Sequence, residues 1–210
     1  MKKFFLFLTL MTAFSFQLIG ADTGAHTGTK KMKSFKNDFV SFQYPASWIL
    51  KNDSETNSCA LSFRKKIPNS SDAGNAIEFT LNALVTTETV SDDDLREMSK
   101  VDVMGTLDEK TTHEKKVSSV GQIKGNGLEI SGKMVDGKSS LTVLTFDHKL
   151  KAIKTAPKKD PNNPFDLPVV SPNHLFISGY YVTSYDNQPV LTPEESEGIK
   201  AFLNSLQTTK

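Results

Sequence analysis

In Ile77-Glu78-Phe79-Thr80-Leu81-Asn82-Ala83-Leu84-Val85, apolar residues stand at every second position from Ile77 to Val85. Successive side chains of an extended chain point to opposite sides, so this spacing predicts a long β-strand with one face on a core. The same period recurs upstream. Val40, Phe42 and Tyr44 alternate with Ser41 and Gln43, and Cys59, Leu61 and Phe63 alternate with Ala60, Ser62 and Arg64. Pro45-Ala46-Ser47 between the first of these runs and Trp48-Ile49-Leu50 reads as the turn of a β-hairpin.

Beyond Val85 the period changes. Ser91 precedes Asp92-Asp93-Asp94, and Leu95, Met98 and Val101 follow at helical spacing. Acids at a helix start complement its dipole, so the triplet is explained by capping rather than by a metal, and a helix is predicted over Ser91–Leu107. Val117–Ile123 then reads as a strand, Gly125-Asn126-Gly127 as a turn, and Leu128, Ile130 and Met134 as the next strand. Asp136-Gly137 predicts a hairpin into Leu141–Phe146. The last strand is His174–Ser184. A final helix opens at Thr192-Pro193-Glu194-Glu195, an N-cap, a proline in the first turn and a capping-box glutamate. Its apolar face is Ile199, Phe202, Leu203 and Leu206.

The ends and the charge bound the compartment and the partners. Lys2 and Lys3 precede the apolar run from Phe4 to Phe14, and small residues close it at Gly20-Ala21. That is the order of a secretory signal peptide, with residues 1–21 removed on export to a periplasmic or extracellular location. The apolar run is shorter than the roughly 20 residues of a spanning helix. Residues 22–36, rich in Gly, Thr and Lys, read as a flexible tether before a single domain at 37–208. Without Lys2 and Lys3 the chain holds 23 basic and 24 acidic residues, a net charge of −1 that argues against a nucleic-acid binder. The single cysteine, Cys59, excludes an internal disulfide and reads as a buried, inert thiol.

Two stretches carry a resemblance to the PsbP-like family, named for an extrinsic subunit of the photosynthetic oxygen-evolving complex. One is Phe42-Gln43-Tyr44-Pro45-Ala46-Ser47-Trp48; the other is Gly179-Tyr180-Tyr181-Val182 followed by a helix closing on Leu203-Asn204-Ser205-Leu206. The resemblance implies an α+β fold in which helices cover an antiparallel β-sheet, an α/β/α sandwich of the PsbP-like type. It implies an accessory protein that binds larger assemblies, and it carries over no catalytic residues.

No chemistry-bearing motif stands out. His26, His113, His148 and His174 lack metal-ligand spacing, no serine has a nucleophile-elbow setting, and Asp147-His148 sits at a strand end. No catalytic, cofactor or metal residue is assigned. The long stretch 149–173 departs from a compact domain, with five of the chain's nine prolines and Lys149, Lys151, Lys154, Lys158 and Lys159. Connections of this length are functional or disordered. The lysines are therefore the candidate binding residues, for a protein partner or an anionic envelope surface. The alternative is a small-molecule-binding protein or an enzyme using a pocket between sheet and helix.

Overall fold

A computed structural model describes residues 31–54, 56–66, 73–86, 90–101, 107–151 and 171–209. The expected signal peptide, the start of the tether and the bulk of the Pro/Lys-rich stretch lie outside the described residues.

The alternating segments form two antiparallel sheets. The larger is built from β3 (Ile49–Asp53), β4 (Ser58–Lys66), β5 (Ala73–Leu84), β6 (His113–Val120), β7 (Ile123–Lys133), β8 (Ser139–Lys149) and β9 (His174–Tyr185). Its strand order is β3-β4-β5-β9-β8-β7-β6, and a short β10 (Gln188–Pro189) pairs with the end of β9. The smaller sheet has the order β1-β2-β11, from β1 (Met32–Lys36), β2 (Val40–Pro45) and β11 (Gln207–Thr208). The described helices are two, α1 (Asp92–Val101) and α2 (Pro193–Ser205).

The protein is therefore mainly β, and the expected α+β sandwich is wrong. At 1.5 Å per residue the ten residues of α1 span about 15 Å. Seven strands about 4.8 Å apart extend to about 29 Å, so α1 cannot form a layer over them. The helix does not reach Leu107 as expected, because Leu107 forms a β-bridge with Met134. On the opposite face α2 shares the space with the small sheet, so a second sheet stands where a helical layer was expected.

Other expectations also need correction. Met32–Lys36, read as the end of a tether, is a strand in register with β2, with Phe35 opposite Phe42. The stretch from Val40 to Leu50 is not a hairpin. Its two strands join different sheets, and the Tyr44–Trp48 corner hands the chain from one to the other. Trp48 N–H donates to the Pro45 carbonyl at 3.0 Å across that corner. Val117–Ile123 spans two strands, broken at Gly121, whose φ of 58° suits the tight turn. Gly125-Asn126-Gly127 is no turn but lies within β7. A Cβ at Gly127 would stand 2.5 Å from the Phe146 ring, so the glycines admit that ring against the strand.

The Asp136-Gly137 turn forms as expected between β7 and β8. Asp136 Oδ1 accepts from Lys138 N and Ser139 N, and those bonds hold its carboxyl below the usual carboxylate range. Both helix starts are capped as the sequence indicates. Ser91 Oγ accepts from Asp94 N and Asp94 Oδ2 from Ser91 N. Thr192 and Glu195 close a full capping box. Phe202, fully buried, ties the layers together: its ring centroid lies 5.3 Å from Phe42, 5.7 Å from Trp48 and 5.1 Å from Phe79.

Candidate functional site

The candidate binding segment leaves the large sheet where β8 ends and returns where β9 begins. Lys149 closes β8 and faces solvent, as does Lys151, while Leu150 between them is buried. Lys154, Lys158 and Lys159 lie outside the described residues. Among the described residues neither Lys149 nor Lys151 has an ion-pair partner.

The two arms of the segment are pinned at their base. Leu150 N–H donates to the Asn173 carbonyl at 2.8 Å, and Asn173 N–H donates to the Leu84 carbonyl at 3.0 Å. The Asn173 side chain closes a ring with Thr86, accepting from Thr86 N at 2.9 Å and donating to Thr86 O at 2.7 Å. One residue thus joins β5, β8 and β9 at the point where the segment departs.

Next to this neck the structure brings together two residues that sequence reasoning kept apart. His174 Nδ1 donates to Asp147 Oδ1 at 2.8 Å, and both side chains are about nine-tenths buried. The imidazole stacks on Phe176 with centroids 5.9 Å apart. Asp147 and His148 are adjacent in the sequence, but neighbours along a strand point to opposite faces. His148 instead donates from Nδ1 to the Lys124 carbonyl at 2.6 Å. Only the β8–β9 register, which sets Lys149 against His174, brings Asp147 within reach of His174. The period-two pattern could have ruled out the pairing with His148, but it could not have supplied the register.

The remaining candidates resolve into structural roles. Asp92 takes Lys116 and Asn126, Asp93 takes Arg96, and Asp94 caps α1. Lys116 and Asn126 hold the Asp92 carboxyl below its usual range. Among the described residues no group of His, Cys, Asp and Glu could hold a metal ion. His113 is exposed at the start of β6, and His26 lies outside the described residues. Burial pushes the Cys59 thiol up to about 12, so it stays protonated and unreactive at neutral pH. No described helix is long and apolar enough to cross a membrane.

No family model and no curated protein matches the chain.

Proposed function

We propose that this protein is an exported, non-enzymatic accessory protein that docks on an acidic partner in an envelope or membrane-associated complex. Docking runs through the end of the large sheet where the Pro/Lys-rich segment departs. The observation that carries this reading is the charge arrangement at the neck. Lys149 and Lys151 stand exposed with no carboxylate partner among the described residues, while the adjacent acid, Asp147, is buried and engaged by His174. Cations left unneutralised on a firmly pinned base favour an acidic surface and speed its encounter. The sequence adds Lys154, Lys158 and Lys159 to the same stretch, with prolines that limit the entropy lost on ordering. The PsbP-like resemblance supports the accessory role, and the apolar N-terminal run supports export.

The test is recovery of envelope proteins on the immobilised mature chain, with and without Lys149→Ser and Lys151→Ser, across a salt series. The double variant is expected to lose most of the recovery at low salt and to flatten its dependence on salt. Equal recovery with the same salt dependence rejects docking through this end of the sheet. An intact Met1 on the protein isolated from cells rejects export.

A further inference from the structure

Between the C-terminal end of α2 and the outer face of the three-stranded sheet runs an open groove of about 460 Å³. Small-ligand sites occupy roughly 300–1,000 Å³. The strand pattern builds its floor. β2 turns Val40, Phe42 and Tyr44 inward, which leaves Ser41 and Gln43 on the outer side. The register sets Ser34 beside Gln43 and Gln207 beside Ser41, so hydroxyl and amide groups cluster on one surface. One wall is Ser205, whose Oγ accepts from Gln43 N at 2.8 Å. Gln122, in the β6–β7 turn, forms another wall and is fixed by its N–H to the Leu206 carbonyl at 2.8 Å.

The lining has a definite chemistry. Among the described residues, the side-chain amides of Gln43, Gln122 and Gln207 and the hydroxyls of Ser34 and Ser41 have no hydrogen-bond partner. Each amide presents two donors and a carbonyl with two lone pairs. Among the described residues Lys36 is the one charged residue of the lining, and no carboxylate among them faces the groove. Phe35 pairs with Phe42 and its ring packs on that inward-facing ring at 5.0 Å, so both aromatic rings lie on the side of the strands away from Ser34, Ser41 and Gln43. An anion would find one cation here and a cation would find no acid. A neutral ligand rich in hydroxyl and amide groups finds donors and acceptors together on one surface. A peptide cannot add as a strand at this margin of β2, because Gln43 N–H is taken by Ser205 and Ser41 pairs with β11.

We infer that this groove binds a neutral oligosaccharide bearing acetamido groups, with the three glutamine amides pairing to its acetamide and hydroxyl groups. The site shares no residue with the lysine-bearing end of the sheet, so the two readings fail separately.

The experiment is a titration of the mature chain with tetra-N-acetylchitotetraose, followed through the glutamine side-chain NH₂ resonances in ¹H–¹⁵N spectra. Gln43, Gln122 and Gln207 are expected to shift. Gln43→Ala combined with Gln207→Ala is expected to weaken binding about tenfold, the equivalent of two lost hydrogen bonds. Both residues are exposed, so the melting temperature should not move. Lys149→Ser with Lys151→Ser should titrate like the unaltered chain. Absence of shifts at millimolar saccharide overturns the inference. So do shifts that persist unchanged in the glutamine double variant, or shifts elicited by an extended peptide and not by the saccharide.

Discussion

The two faces of the large sheet are made by the same strands, yet they are built differently. On the α2 face the strands contribute Cys59, Leu61, Phe79, Leu81, Ile177 and Phe146, all buried, and the contacts are apolar and aromatic. On the α1 face the intervening positions include Glu78, Thr80, Thr145, Asp147, Ser178 and Tyr180. Leu95, Leu128 and Ile130 form only a small apolar cluster there. Burial on this face is secured by specific hydrogen bonds: Ser99 Oγ to Thr145 Oγ1 at 2.6 Å, His174 to Asp147, and Tyr180 to Glu78. Burial and the neighbouring Glu78 raise the Tyr180 phenol well above its ordinary range. The difference teaches that one face is held by area, which tolerates adjustment, and the other by pairings that lose most when a single partner is removed.

The largest effect should come from the apolar face. Phe202→Ala removes the ring that joins Phe42, Trp48 and Phe79, and should cost about 3–5 kcal/mol in a denaturant titration. An unchanged midpoint would mean that α2 does not hold the two sheets together.

The polar face offers a sharper test of the contrast. Ser99 Oγ donates to the Leu95 carbonyl, so the Thr145 hydroxyl must be the donor in the pair they share. Ser99→Ala leaves a buried donor unpaired and should cost about 1–3 kcal/mol, and Thr145→Val should cost about 1 kcal/mol. The double variant should cost less than the sum of the two, because it removes both partners together. Strict additivity in the cycle would remove the distinction between the faces.

Smallest is the pH-dependent effect tied to the Cys59 proton on the apolar face, which vanishes at neutral pH. The thiol is raised from an ordinary value of 9.0 to about 12 by burial. The unfolded chain therefore releases this proton first as the pH rises. The associated stability is intact below pH 9 and declines between about 9 and about 12. The gap in stability between the unaltered chain and Cys59→Ala should narrow over that range. A gap that stays constant would mean the thiolate is solvated in the folded state.

The segment at 149–173 shows where a linear reading stops. Its composition marked it as unusual, but the sequence gives no hint that Asn173 pins both arms or that His174 takes Asp147. Those contacts join residues 87 and 27 positions apart. The polar groove likewise draws on β1, β2, the β6–β7 turn and the end of α2, whose residues are unremarkable one by one.

By itself the sequence determined the local elements. The period-two stripes gave the strands, Asp136-Gly137 its hairpin, and Thr192-Pro193-Glu194-Glu195 the start of α2, because each rests on side chains a few residues apart. It did not determine which strands pair. Pro45-Ala46-Ser47 suits a hairpin turn as well as a corner between two sheets, and a Lys-rich segment such as Met32–Lys36 becomes a strand only when β2 offers its edge. Tertiary structure alone decided that a second sheet, and not a helical layer, covers the α2 face. Strand pairing is a contest between distant partners whose backbone hydrogen bonds are chemically alike, and the winner is settled by which arrangement buries Val40, Phe42, Trp48, Phe79 and Phe202 together.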